Sequence, residues 1–333
     1  MPELRIDPIV GRRVYVAEDR AGRPTDLAGE RPGAAVPSAS DYEPHCPFCA
    51  GNEAATPDAT ATVVDADGQW QVRVVPNKYP AVTLDAGGGD APARAGAPGA
   101  PGVHEVIIES PRHLVDVEQL DVGELSAVLG VYRDRLRHWA ADPRLRHGLI
   151  FKNSGFAAGA SLAHLHSQLV ALPYVADAVA AELDGAARYY AAHGQCTFCD
   201  LLRRELADGE RVVVRRDGVA AFCAVAGRQP YETWILPEAH GDRYDGADDA
   251  QLRSLAAVLH DVLVRLHTVA PGAGYNLLLH TGSFDGAAAA SYHWHWELVP
   301  RLSSLAGLEL GAGVYINPLA PERAAQRLRA ANT

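Results

Sequence analysis

Ala163-His164-Leu165-His166-Ser167-Gln168 reads as a strand whose alternation puts His164, His166 and Gln168 on one face and Leu165, Ser167 and Leu169 on the other. Imidazoles at i and i+2 can divide labour, one pinned by a metal and the other facing a substrate, while the glutamine donates to an oxygen anion. The approach, Lys152-Asn153-Ser154-Gly155-Phe156-Ala157-Ala158-Gly159-Ala160-Ser161, is small and glycine-rich. Its backbone N–H groups can therefore come close to a phosphate.

The surroundings of this strand occur twice. Cys46-Pro47-Phe48-Cys49 and Cys196-Thr197-Phe198-Cys199 lie 150 positions apart, and similar segments follow each. After the first come the strand-like Gln71-Val72-Arg73-Val74-Val75, Pro76-Asn77-Lys78-Tyr79-Pro80, and Glu105-Val106-Ile107-Ile108-Glu109 leading to His113. After the second come Arg211-Val212-Val213-Val214, Arg228-Gln229-Pro230-Tyr231, and Glu232-Thr233-Trp234-Ile235-Leu236 leading to His240. An amphipathic helix follows in each half: Leu125, Val128, Leu129, Tyr132 and Leu136 in the first, Leu252, Leu255, Leu259, Val262, Leu263 and Leu266 in the second. Asp121 with Glu124 marks a helix start. A strand and a His-x-His then close each half, Gly148 to Phe151 before His164 and His166, Tyr275 to His280 before His293 and His295.

The expected fold is α+β, a duplicated unit of antiparallel sheet flanked by helices, the two copies able to merge into one larger sheet. Residues 1–173 form the first repeat with the His164/His166 strand, 174–195 a linker helix, and 196–333 the second repeat with its own Cys-x-x-Cys and His-x-His. The linker and the Gly/Ala/Pro-rich insertion Ala86 to Gly102 read as poor places for catalysis.

A chain of 333 residues can bury a large core. Its formal charge of −11 argues against a general nucleic-acid binder, so an anionic ligand must be met by local arginines. No apolar run is long enough for a membrane span or signal peptide, and the reading is cytoplasmic. Four of the five cysteines have metal-ligand spacing. The fifth, Cys223, sits in an apolar run and reads as a core thiol.

Tetrahedral zinc needs four N/S ligands, and each Cys-x-x-Cys supplies two. In the first half His113 and one of His164 or His166 complete the set; in the second, His240 and one of His293 or His295. A redox role for either pair lacks the surrounding βαβ pattern. Metal at such sites contributes on the order of 10 kcal/mol of folding free energy. His45 and His104 read as ordinary surface residues.

With Cys-Pro-Phe-Cys-Ala-Gly-Asn-Glu from Cys46, Pro-Asn-Lys-Tyr-Pro-Ala from Pro76, His-Glu-Val-Ile-Ile-Glu-Ser-Pro-Arg-His from His104 and the His164-x-His166-x-Gln168 strand in this order, the chain resembles galactose-1-phosphate uridylyltransferases of the histidine triad superfamily. The resemblance spans nearly all of the chain, from Asp7-Pro8-Ile9-Val10-Gly11-Arg12-Arg13 to Tyr315-Ile316-Asn317-Pro318. It implies ping-pong transfer between a nucleotide sugar and a sugar phosphate. His166 would attack the α-phosphorus, Gln168 would bind a non-bridging oxygen, and Gly159 and Ser161 would hold phosphates. His164 would join Cys46, Cys49 and His113 on zinc. Asn77 and Asn153 match nucleoside contacts, with Phe156 as an apolar wall. Arg20 and Arg23 match arginines at the sugar-phosphate end, and Lys152 adds charge near the nucleophile. Glu309, Gly311, Tyr315 and Asn317 would recognise the hexose.

Some members bind their second metal through a glutamate and three histidines, whereas this chain offers Cys196, Cys199, His240 and His293, like the ADP-glucose phosphorylases of the same family. The leading expectation is a two-zinc UDP-glucose:galactose-1-phosphate uridylyltransferase, with an ADP-glucose phosphorylase as the alternative and a non-catalytic zinc-stabilised nucleotide-sugar binding protein as the reading from another class. A homodimer is implied by the resemblance alone. His295 and Glu297 are left to a hydrogen-bonded structural role, and Glu297, standing where Gln168 stands in the first copy, would repel a phosphate.

Overall fold

A computed structural model describes residues 2–22, 41–84 and 100–331. Arg23 and most of the Ala86–Gly102 insertion lie outside the described residues. The strands are β1 (Glu3–Ile6), β2 (Arg13–Val16), β3 (Ala61–Val64), β4 (Trp70–Pro76), β5 (Val103–Ile108), β6 (His147–Ser154), β7 (His166–Leu172), β8 (Val212–Arg216), β9 (Val219–Cys223), β10 (Thr233–Pro237), β11 (Tyr275–His280), β12 (His295–Pro300) and β13 (Tyr315–Asn317). The helices are α1 (Val122–Ala140), α2 (Asp177–His193), α3 (Thr197–Asp208), α4 (Asp249–Val269), α5 (Gly307–Ala312) and α6 (Pro321–Ala330).

Ten strands form one sheet in the order β3-β4-β5-β7-β6-β11-β12-β10-β9-β8, and all its pairings are antiparallel. The order is a palindrome: the first half runs inward from β3 to β6, and the second runs outward from β11 to β8. The copies meet at β6 and β11, where Asn153 faces Asn276 and Lys152 faces Leu277. The duplication thus gives one merged sheet. A small sheet, β1-β2-β13, stands apart from it.

Helices α1 and α4 start where their sequences say they should. Asp121 accepts from the Glu124 N–H and Asp248 from the Gln251 N–H, each inside a capping box that satisfies two otherwise orphaned donors. Their apolar stripes, with α6, bury against one face of the sheet: Leu125, Leu129 and Leu136 from α1, and Leu255, Leu259 and Leu263 from α4, join Ile107, Leu169, Leu277 and Leu298 in one core.

The opposite face is treated differently in the two halves. Over the second half, α2 and α3 lay Ala186, Phe198 and Leu202 on Ala220, Phe222, Trp234 and Leu236. Over the first, among the described residues, the Cys46–Cys49 loop with Phe48 packs on Val75, Val106 and Ile108, with Trp70 at the margin. The expected linker helix is therefore α2, and it is a cladding element. Its Gly185 passes so near the Ile9 carbonyl that a Cβ there would sit 2.1 Å from the oxygen, so a side chain would push the helix off.

Candidate active site

The His-x-His segment is only partly the strand that its alternation suggests. β7 begins at His166; just before it the Glu109 N–H donates to Leu165 O at 3.2 Å, one residue beyond the β5–β7 pairing, and the Leu165 N–H turns to Leu114 O at 2.8 Å. His166 and Gln168 do share a face, and Ser167 and Leu169 point into the opposite core. The alternation carries on through these two residues: Leu165 joins the core of Leu169, while His164 meets the Cys46–Cys49 loop on the face of His166 and Gln168, with Phe48 against both imidazoles.

Four donors converge there. Cys46 Sγ lies 3.5 Å and Cys49 Sγ 3.7 Å from His164 Nδ1, and Cys49 Sγ lies 3.4 Å from His113 Nδ1. The ligand atoms of Cys46, Cys49, His113 and His164 all fall within 4.8 Å of one another, spacings a tetrahedral zinc with bonds of roughly 2.0–2.3 Å accommodates. His164 Nε2–H donates to Ser110 O at 2.8 Å, which leaves Nδ1 unprotonated, as a ligand must be. Burial lowers the His164 pKa to about 4 and raises that of the Cys49 thiol to about 11 in the metal-free chain. Two buried thiols and two imidazole nitrogens make a donor set that suits zinc.

The nucleophile position is built by the same chain. His166 Nδ1–H donates to the His164 carbonyl at 2.7 Å, so the ring's other nitrogen, Nε2, carries the free lone pair. Burial lowers its pKa, which keeps the ring neutral. Phe48 packs 5.3 Å from the ring and ties it to the cysteine loop.

Beneath the strand lies a buried polar cluster that the sequence reading did not anticipate. Glu109 accepts from Lys152 Nζ, Tyr132 Oη and Ser167 Oγ, each at 2.5 Å. Lys152 Nζ also donates to the His166 carbonyl at 3.1 Å. Burial pushes the Glu109 pKa up, but the Lys152 charge and the three donors outweigh it and hold the carboxyl below its usual value. Lys152 is thus not a free cation beside the nucleophile; its charge is spent on Glu109, and it holds the nucleophile's backbone.

The glycine-rich approach is also more self-contained than expected. Ala158, Gly159 and Ala160 donate their N–H groups to Gly155 O, Phe156 O and Gly155 O, so these three are not open to a phosphate. Gly159 adopts φ +87°, which closes this turn. Ser161 and Phe156 are exposed. Asn276, from the second half, donates to Asn153 Oδ1 at 2.8 Å and to Ala158 O at 2.9 Å and so fixes the loop from across the junction. The β6–β11 register sets that contact, and no local sequence signal carries it.

Gln168 receives a partner that the sequence analysis set aside. His104, read as a surface residue, lies 2.8 Å from Gln168 Oε1 through its Nε2. Asn77 is next to it, 3.1 Å from the same nitrogen. His45 is exposed, as expected.

Arg20 is exposed on the turn Glu18–Gly22 after β2. Tyr315 is half-buried, with the Arg12 guanidinium over its ring. Glu309 and Gly311 fall in α5, which is exposed. Asn317 departs from its expected place in a hexose site. It is buried, its Nδ2 donates to Gly227 O and Gln229 O, and its Oδ1 accepts from Leu319 N. That amide is committed to holding β13 in place.

The second half repeats the pattern. Cys199 Sγ lies 3.2 Å from His240 Nδ1 and 3.3 Å from His293 Nδ1, and with Cys196 these donors fall within 4.8 Å of one another. His293 Nε2 is buried without a partner, and burial lowers the ring's pKa to about 3, so the imidazole is a neutral ligand. His295 Nδ1 donates to the His293 carbonyl at 3.1 Å, repeating His166. Yet no part of His295 is exposed: Phe198 and Trp234 flank it at 4.8 and 4.9 Å.

Glu297 is equally enclosed. Arg228 pairs with it and with Glu232. The carboxylate does not present itself to a phosphate, because its charge is already answered. Glu182, carried by the helix read as uninformative, accepts from His280 Nδ1 at 3.0 Å and from Tyr292 Oη at 2.8 Å. Glu182, His280, His295 and Glu297 thereby form a third buried group of potential ligands. The structural role expected for His295 and Glu297 is this one. Cys223 is a buried core thiol, as expected.

Comparison with known proteins agrees with this architecture. The family model for the galactose-1-phosphate uridyl transferase N-terminal domain matches residues 1–176, and one for a domain of unknown function matches residues 101–332. The chain belongs to the galactose-1-phosphate uridylyltransferase family, whose members are nucleotidyltransferases. It is 32% identical to an ADP-glucose phosphorylase of Arabidopsis thaliana over 98% of this chain and 92% of that protein. It is 28% identical to a galactose-1-phosphate uridylyltransferase of Haemophilus influenzae over 99% and 94%. The crystal structure of an Arabidopsis thaliana ADP-glucose phosphorylase with bound ADP-glucose superposes with a TM-score of 0.86 at 30% identity, covering 100% of this chain and 99% of that one. Among the described residues no helix is long and apolar enough to cross a membrane.

Proposed function

We propose that this protein transfers a nucleotidyl group between a nucleoside diphosphate hexose and a phosphate acceptor through a covalent intermediate on His166. The observation that carries the reading is the bond from His166 Nδ1–H to the His164 carbonyl, which leaves Nε2 unprotonated on the same face as Gln168. Nε2 attacks the α-phosphorus; an N–P bond forms as the P–O bond to the sugar phosphate breaks, and sugar 1-phosphate leaves with that electron pair. A phosphate oxygen of the acceptor then attacks the same phosphorus and releases His166. Splitting the exchange in two lets one anion pocket serve both displacements. Gln168 supports the oxygens on which charge accumulates. Asn77, Asn153 and Ser161 are assigned to the approach for nucleoside and phosphates, Gly159 to the turn that shapes it, and Arg20, Arg23 and Tyr315 to the sugar-phosphate end.

Zinc fits both Cys/His groups, held by Cys46, Cys49, His113 and His164 and by Cys196, Cys199, His240 and His293. When bound it supplies fixed geometry to the chain that carries His166. The donor of the leading reading is UDP-glucose, with galactose 1-phosphate as acceptor, in keeping with the family model over residues 1–176. A specific observation favours the adenylyl alternative: the second Cys/His group accompanies a 32% identity to an ADP-glucose phosphorylase over nearly the whole chain. Incubation with UDP-glucose or ADP-glucose labelled in the α-phosphate, without acceptor, decides between them. The correct donor leaves label on the wild-type protein and none on His166→Asn; label that persists on the variant overturns the nucleophile, and label from neither donor overturns the reaction.

A further inference from the structure

His104 stands on β5 opposite Val170 of β7, and Val106, two residues on, stands opposite Gln168. His104 and Gln168 are therefore diagonal neighbours on one sheet face, close enough for long side chains to meet. The Ala81 N–H reaches His104 Nδ1 at 3.1 Å. A backbone N–H can only donate, so Nδ1 is the acceptor and the neutral ring carries its proton on Nε2. That Nε2–H points at Gln168 Oε1, 2.8 Å away. An amide whose oxygen is engaged in this way must direct its NH2 elsewhere.

We propose that His104 is a positioning residue for nucleotidyl transfer: it fixes the Gln168 amide so that Nε2, not Oε1, is offered to the α-phosphate. Asn77 does not set this polarity. Its Oδ1 accepts from the Tyr79 N–H at 2.8 Å, which turns its Nδ2 toward His104, 3.1 Å from a nitrogen that already bears a proton. Donor faces donor there, and the Asn77 NH2 is left for an acceptor atom from a ligand. His104 thus couples the segment 77–81, through Ala81, to the group that meets the phosphate. Without it the Gln168 amide can flip, and an oxygen turned to a phosphate anion repels it.

The inference rests on His166 as the nucleotidylated residue, and the test separates the two. Single-turnover loading of the full chain is followed with α-phosphate-labelled ADP-glucose and UDP-glucose at saturating and subsaturating donor. His104→Ala lowers the loading rate constant about tenfold with a smaller change in the donor concentration at half-saturation, less than the loss of roughly 100-fold from Gln168→Ala, since it acts through that residue. His104→Gln, which can still donate to Oε1, recovers most of the rate; His104→Leu, which fills the space with no donor, does not, and it stands in for alanine should that variant not fold. In the Gln168→Ala background, His104→Ala has no further effect. Wild-type loading in His104→Ala and His104→Leu, or losses that multiply in the double variant, overturn the role of His104. A wild-type protein that takes label from neither donor overturns the His166 reading and this inference with it.

Discussion

The two halves of the sheet present the same five-residue device, His-x-His with a polar residue two positions on, and among the described residues only the second is covered over. His166 and His295 each donate Nδ1–H to the carbonyl two residues back. His166 is half-buried beside Gln168, whereas His295 is enclosed by Phe198, Trp234, Tyr292 and His280. The difference starts at each Cys-x-x-Cys. The second pair opens α3, which is capped by Cys196, contains Cys199 and covers the sheet with Phe198 and Leu202; after Cys49 the chain makes the short turn Glu53–Ala55. Ligand geometry was copied between the halves, and access was not. Exposure of the second histidine of the motif is decided by what lies over the sheet.

The comparison breaks most sharply at the histidines. His166→Asn should lower loading of the protein with labelled donor by roughly 10⁴-fold or more, as loss of a covalent nucleophile does. His295→Asn should keep loading within a few-fold of wild type if its fold holds. Label on a peptide containing His295 in either protein would break the asymmetry.

Next come the buried charges under the open half. Lys152→Met leaves Glu109 buried and unpaired, which should cost about 3–5 kcal/mol in denaturant unfolding. The same change releases the His166 carbonyl, so the loading rate should fall as well. The equivalent break in the closed half, Arg228→Met, strands Glu232, leaves Glu297 with His280 alone, and should cost a similar ~3–5 kcal/mol, with loading at His166 retained in the folded fraction. If both variants lose activity and stability in proportion, the halves are not divided as described.

Metal removal sharpens the same division. Elemental analysis should find about two zinc equivalents per chain. Cys46→Ser should lose one equivalent together with most of the loading activity. Cys196→Ser should lose one equivalent and thermal stability, with a smaller loss in activity per folded molecule.

The smallest effect concerns the ion cluster that ties β1 to the closed half. Glu322 accepts from Arg5 and Arg211, and although partial burial raises its pKa, these bonds outweigh it and lower the pKa to about 2. A carboxylate depressed in the folded state stabilises fully above its unfolded value of about 4.3 and loses that contribution as pH falls toward 2. Glu322→Gln should therefore flatten the acid limb of unfolding free energy between about pH 4.3 and 2, with an effect near or below ~1 kcal/mol at pH 7 for a pair this exposed. An unchanged acid limb would show that the cluster contributes nothing.

Much of this was legible in the sequence, and the misses share a cause. Period-two alternation put His166 and Gln168 on one face, helical spacing with Asp121 and Glu124 marked α1, and the cysteine pairs pointed to both ligand groups. The pattern held even at His164, which lies just ahead of the strand and shares the face of His166 while Leu165 joins the opposite core. It erred at His104, because a single histidine in an alternating strand looks the same whether it faces water or a glutamine 64 positions away. Glu182 was missed inside a helix that read as a spacer, 98 positions from its partner His280. Asn317 carried a family expectation that its buried amide does not meet.

The sequence by itself determined the duplication, the two Cys/His ligand sets and the face on which His166 and Gln168 stand, since each is a matter of spacing along a chain of fixed geometry. Only the tertiary structure decided which copy is open, what orients Gln168 and where the charges of Lys152 and Glu297 go. Those depend on strand register and helix packing, which bring together side chains whose separation along the chain says nothing of their distance in space.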